Sequence, residues 1–326
     1  MVGLLAIAFT FVLGAAVAQA QQSGKIFRIG FLDNSTASGS AVLVDAFRQE
    51  LRKLGWIEGK NIAIEYRFSE NEGRERLSEL AAEVVRRKAD LIVVTGTAAA
   101  TAATSATRTI PIVMTSPADP VGARLVASLA KPGGNITGLS SLGTELNAKR
   151  LEILNDAIPR LARVALLRVP GVGIQELQLN ELRVAAPALK LKLEEIETQP
   201  DAEGFERAFQ TARQKKVNAI LPMANRRFFA GRKRIGELAA KFRLPAIYPQ
   251  KEYVDGGGLM SYGVDYTDLY RRAAGYVDKI LKGAKPADLP VQQASKFEFV
   301  INLKAAKQIG LTLSPEFLSR ANRVMK

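Results

Sequence analysis

The chain has no cysteine and no histidine in its 326 residues. The first absence removes thiol nucleophiles and structural disulfides. The second removes histidine-based general-base catalysis, and together they remove the ligands of ordinary zinc sites. Charge is missing from the first twenty residues, Met1 to Ala20, which lack even the Lys or Arg usual at the start of a leader. This stretch is almost wholly apolar and ends in Ala18-Gln19-Ala20, so it reads as a cleaved signal peptide over residues 1–20. No later segment is apolar for long enough to span a bilayer. The expected location is the periplasm.

Catalytic templates are missing as well. Gly256-Gly257-Gly258 is not followed by Gly-Lys-Ser/Thr, and there is no strand–GxGxxG–helix unit. There is no G-x-S-x-G elbow, and a serine triad would have no histidine. The adjacent carboxylates Glu194-Glu195 fall in a predicted strand and read as surface charge. The expectation is a protein that is not an enzyme, with no cofactor and no metal.

What is present is an excess of positive charge, formally +14, with none of it in the leader. The basic residues are dispersed, as in Arg86-Arg87-Lys88, Lys215-Lys216 and Arg232-Lys233-Arg234, and no stacking aromatics interleave them. They read as solvated helix faces, and no nucleic-acid partner is expected.

From Lys25 onward, short apolar runs alternate with segments of helical period. Strands are predicted at Ile26–Leu32, Asn61–Tyr66, Asp90–Val94 and Ile110–Met114. Leu43, Phe47, Leu51 and Leu54 form one helical stripe; Leu77, Leu80, Ala81, Val84 and Val85 form another. A third helix is predicted over Thr97–Arg108. The order βαβαβαβ implies a parallel, doubly wound sheet. After Lys131-Pro132-Gly133-Gly134 and a short strand from Asn135, the pattern restarts, with strands at Val164–Leu167, Leu191–Ile196, Val217–Leu221 and Pro245–Tyr248. The run Thr109-Ile110-Pro111-Ile112-Val113 followed by Gly133-Gly134-Asn135-Ile136-Thr137-Gly138 has an echo downstream. It is Leu244-Pro245-Ala246-Ile247-Tyr248 followed by Gly257-Gly258-Leu259-Met260-Ser261-Tyr262-Gly263. A long helix to Lys282 and a late strand at Phe297–Ile301 imply repeated crossing between two lobes. The fold class is α/β: two doubly wound parallel-sheet lobes joined by a multi-strand hinge. The expected boundaries are 25–140 plus 264–293 for the N-terminal lobe and 141–263 plus 294–326 for the C-terminal lobe.

In such sheets ligands bind beyond the carboxyl ends of the strands. The candidate contacts are Asn34 in Asp33-Asn34-Ser35, Thr95 and Thr97 around Gly96, and Ser116 and Asp119 in the loop from Thr115. The second lobe offers Val169-Pro170-Gly171, Asn225 after Met223-Ala224, and Tyr248 before Pro249. Asp265 precedes the long helix. Thr97 is also suited to be an N-cap, and Asp119 to cap a helix beginning near Val121. Tyr248, Tyr253, Tyr262 and Tyr266 could stack on a ligand ring or simply fill core and rim.

Several runs carry a resemblance: Phe27-Arg28-Ile29-Gly30-Phe31-Leu32, Phe47 to Trp56, Gly59-Lys60-Asn61-Ile62, Asp119-Pro120-Val121-Gly122, Leu129 to Gly138, Gly257 to Gly263 and Lys296 to Leu303. Across the mature chain the sequence resembles the ABC transporter substrate-binding proteins of the tryptophan/tyrosine-type family. The resemblance implies the type I periplasmic-binding-protein fold with three hinge crossings. It also implies a monomer that captures a small organic solute, amino-acid-like or aromatic, in the cleft and delivers it to an ABC permease in the inner membrane. Carried over residue by residue, the pocket uses Asn34, Thr97, Ser116, Asp119 and, on the hinge side, Asp265. The chain departs from the family where Val169-Pro170-Gly171 replaces Asn-Pro-Asp and Met223-Ala224 replaces Asp-Ser. Leaving a buried ligand group unpaired costs roughly 1–3 kcal/mol, so a more apolar second-lobe wall is expected and the aromatic amino-acid ligand of the family is not carried over. The alternative is a ligand-sensing receptor for a membrane signalling partner. A secreted enzyme using Asp119 and Asp265 is a third reading.

Overall fold

The computed structural model describes residues 25–70, 72–141, 146–170 and 173–326. The proposed leader at 1–20 and Gly171 lie outside the described residues. The first sheet holds β1 (Phe27–Asp33), β2 (Ile62–Phe68), β3 (Leu91–Thr95), β4 (Ile112–Met114), β5 (Ile136–Ser140) and β11 (Gln292–Gln293), in the order β11-β5-β4-β3-β1-β2. All its neighbours pair in parallel. Helices cover both faces, and the strands record this at every second residue. Ile29, Phe31, Leu91 and Val93 join one apolar cluster, while Leu32, Ile92 and Val94 join another. A sheet buried on both sides needs such continuous apolar strands. On one face lie α1 (Ala37–Lys53) and α10 (Tyr266–Leu281); on the other, α2 (Arg74–Arg86) and α3 (Gly96–Ala106).

The second sheet is built from β6 (Arg163–Arg168), β7 (Lys192–Glu197) and β8 (Ala219–Pro222), in the order β7-β6-β8. A bridge from Ile220 to Ala246 continues it toward β9 (Ile247–Tyr248), β10 (Met260–Val264), β12 (Phe297–Asn302) and β13 (Arg323–Met325). One neighbour pair here, β10 with β12, is antiparallel. Val164 and Leu166 face one cluster, with Leu179 and Leu182 of α5 (Gly173–Ala188). Ala165 and Leu167 face the cluster that also holds Ile29 and Phe31 of the first sheet, with Phe205 and Phe209 of α6 (Ala202–Gln214) and Ile235 and Leu238 of α8 (Arg232–Lys241). The internal echo has a structural counterpart: β4 pairs with β5 as β9 pairs with β10, in parallel.

The predicted elements hold with edits that have local causes. The fourth strand begins at Ile112, because Pro111 has no N–H to give a ladder; its carbonyl still accepts from Ile92 at 2.9 Å. Likewise Pro245 accepts from Ile220 at 2.9 Å, and β9 shortens to two residues. No helix begins near Val121. Arg124 takes φ +56°, and the segment closes in turns instead.

Candidate functional site

In the first sheet the strand order reverses between β1 and β3, and Asp33 at the end of β1 lies in register with Thr95 at the end of β3. A switch point of this kind opens a crevice between adjacent loops. In the second sheet β6 lies between β7 and β8, and the chain leaves β8 directly into Met223-Ala224-Asn225. The two crevices share a cavity of about 440 Å³, inside the range usual for small-molecule sites.

Five of the eight candidate residues line this cavity: Asn34, Thr95, Thr97, Ser116 and Asn225. Asn34 accepts from Ser69 at 3.0 Å, and Asn225 caps α7 (Arg226–Ala230) by accepting from the Arg227 N–H at 2.8 Å. Thr95, not Thr97, occupies the N-cap of α3 and makes no side-chain cap bond there, so the helix N-terminus is left open at the cavity wall. Gly96, at φ +71°, lets the backbone turn into the helix; a Cβ there would stand 3.4 Å from Arg226 Cγ.

The other three candidates are elsewhere. Asp119 accepts from the Gly122 N–H at 2.8 Å and holds a turn, which accounts for its carboxylate locally. Tyr248 is fully buried and stacks on Tyr253 at 4.8 Å, as core aromatics do. Asp265 caps α10 by accepting from the Asp268 N–H at 3.0 Å. Of the tyrosine group, Tyr266 reaches the cavity, while Tyr262 packs edge-on against Phe299.

The expected apolar wall is not what the second sheet presents. Pro170 and Ala224 do line the cavity, but beside them stand Gln178, Gln250, Arg226 and Arg227. Met223 turns into the core and Val169 is buried, so the lost family polar groups are replaced from neighbouring positions. Arg226 is the centre of this wall. Its Nη2 donates to Asp33 Oδ2 at 2.8 Å and to Ser40 Oγ at 2.9 Å, and Ser40 donates to the same Asp33 oxygen at 2.7 Å. Its Nε lies 3.4 Å from Asp33 Oδ1. Asp33 is wholly buried and the Arg226 side chain is 9% exposed. Burial pushes the Arg226 guanidinium down, and the Asp33 carboxylate more than restores it, so its pKa is raised and the charge is secure. The ion pair joins the two sheets. Ser35 reinforces it by donating to the Arg226 carbonyl at 3.3 Å, and Arg232 by donating to the Gly39 carbonyl at 3.0 Å. Arg232, expected on a solvated face, is half-buried and stands over Phe229 at 4.5 Å.

Arg226, Gln178 and Gln250 were not among the candidates, and Asp33 entered only as a member of the loop that holds Asn34. The signal was one residue away: Asp33 precedes Asn34 and Arg226 follows Asn225. Sequence spacing could not reveal that the two charges meet.

A tyrosine-binding protein of Clostridioides difficile is 27% identical over 266 residues, covering 81% of this chain and 75% of the relative. A conserved domain protein from Vibrio cholerae superposes with a TM-score of 0.84 at 28% identity, covering 92% of this chain and all of the other. An ABC domain from Streptococcus pneumonia in complex with L-Trp superposes with a TM-score of 0.82 at 26% identity, with the same coverage. The model of the ABC transporter substrate binding protein family matches residues 37–325. The chain therefore belongs to the ABC transporter substrate binding protein family, as a ligand-binding transport protein and not an enzyme.

Proposed function

We propose that this protein is the extracytoplasmic solute receptor of an ABC importer. A small organic solute binds in the cavity between two lobes, and the closed form is presented to a permease in the inner membrane. The N-terminal lobe comprises 25–140 plus 264–293 and the C-terminal lobe 141–263 plus 294–326, so the chain passes between them three times. A leader over residues 1–20 directs export, and the receptor acts as a monomer. Asn34, Thr95, Thr97, Ser116 and Asn225 contact the solute, with the open N-terminus of α3 offering N–H groups to an acidic oxygen. Asp119, Tyr248 and Asp265 support loops and core and take no part in binding.

The observation that carries this reading is the cavity of about 440 Å³ shared by the switch points of two sheets. Around it, side chains of α7 and α8 hydrogen-bond across to β1 and α1. Native mass spectrometry of gently purified protein should reveal a co-purified small molecule. X-ray scattering should then show the stripped protein compact when that molecule is returned. No bound molecule, and no compaction with any compound of a broad metabolite panel, would sink the reading.

A further inference from the structure

The end of β1 and the first turn of α1 meet α7 along one seam, and the glycine at its centre has no local reason to be there. Gly39 is the third residue of α1, is buried and has no positive φ that would call for glycine. Inside a helix glycine is otherwise disfavoured. A Cβ at Gly39 would stand 2.6 Å from Ala230 Cβ and 2.8 Å from Ala230 Cα, closer than carbon atoms approach one another. It would also stand 2.8 Å from Thr36 Oγ1, but that side chain can turn away. Ala230 Cα is backbone and cannot. The buried Leu43, Phe47 and Leu51 fix α1 in the first half, so relief would come from moving α7 and the half that carries it.

The rest of the seam is made by the protein's own groups. Arg226 donates to Asp33 and Ser40, Ser35 donates to the Arg226 carbonyl, and Arg232 donates to the Gly39 carbonyl. Phe228 and Phe229 of α7 belong to the same apolar cluster as Leu43, Val44 and Phe47 of α1. Arg226 lines the cavity; Asp33, Gly39, Ser40 and Ala230 do not. We propose that this seam is a latch that closes the two halves before any solute arrives, with Gly39 as the position that permits it. The bare backbone of α1 admits Ala230, and a side chain at Gly39 props the halves apart. This rests on the two-lobed receptor reading above and adds what sets its solute-free state. A binding-competent state populated in advance raises the apparent affinity for whatever solute the cavity takes.

Spin-label distances test the latch without any solute. The chain has no cysteine, so Glu79→Cys on α2 and Glu203→Cys on α6, both exposed, place one nitroxide on each half. The parent is the full purified protein carrying these labels, unfolded, dialysed free of small molecules and refolded. Pulsed electron–electron resonance should show a dominant population at the separation of the arrangement described above. Gly39→Val should lose that population and keep a cooperative melting transition. Ala230→Leu props the same contact from α7 and should lose it too, which covers a Gly39→Val that fails to fold. Ser38→Val, exposed in the same turn of α1, should keep it. Absence of that population in the parent, wild-type distances in a folded Gly39→Val or Ala230→Leu, or the same loss in Ser38→Val would overturn the inference. Failure of both props to fold would overturn it too, by making the contact part of one core. Each of these results leaves the receptor reading standing, because that reading is judged by the co-purified solute.

Discussion

A single carboxylate shows how burial without a full set of partners becomes a measurable property. Glu252 is 6% exposed; its Oε1 accepts from Thr267 at 3.4 Å and its Oε2 has no hydrogen-bond partner. Burial raises its pKa above the ordinary value of 4.5, with Lys251 offsetting part of that. The folded state therefore holds the proton more tightly than the unfolded chain does. The cost of the buried charge is fully present above the folded pKa and fades as pH falls through it toward the unfolded value. Glu252→Gln should raise the melting temperature at pH 8 by roughly 1–2 °C, the shift of about 1 kcal/mol in a chain of this size. The gain should vanish near pH 4. Melting curves across that range check it, and a gain that grows on acidification would contradict the assignment.

At the scale of elements, the approach of β5 to β4 depends on an absent side chain. Gly138 pairs with Met114 at φ +129°, and a Cβ there would sit 2.3 Å from the Met114 carbonyl oxygen. Because the neighbour is backbone, the contact cannot be relieved by a rotamer change. Gly138→Ala should cost about 3 kcal/mol or more, read as a lower midpoint in urea denaturation. Most long elements were legible for a related reason: each carries one strong period. Leu91–Val94 is apolar throughout because helices cover both faces, and Phe205, Ala208, Phe209 and Ala212 repeat along one face of α6. The short elements were not legible. Arg226–Ala230 spans barely more than one turn, and its start is set by the Asn225 cap.

At the scale of the whole molecule, one apolar cluster runs through both halves, and the contacts of Arg226 with Asp33 and of Arg232 with Gly39 add polar links where the halves meet. Arg232 of α8 donates to the Gly39 carbonyl of α1 and does not line the cavity. Arg232→Ala should therefore enlarge the radius of gyration of the solute-free protein in X-ray scattering. It should also weaken solute binding about ten-fold, the effect of losing roughly 1.4 kcal/mol from the closed form. An unchanged radius with unchanged affinity would show that this contact does not bias closure.

Local pattern determined a great deal of this protein. The doubled alternation of strand and helix, the family runs from Phe27 to Leu303 and the lack of histidine and cysteine pointed to a solute-binding α/β chain, because periodicity and composition act over neighbouring residues. Loop positions at strand ends marked Asn34, Thr95, Thr97, Ser116 and Asn225 for the same reason. What only the tertiary structure decided is the character of the wall. Asp33 and Arg226 lie 193 residues apart, and nothing in either neighbourhood specifies the other. Their pairing exists only once the ends of two separate sheets are brought face to face.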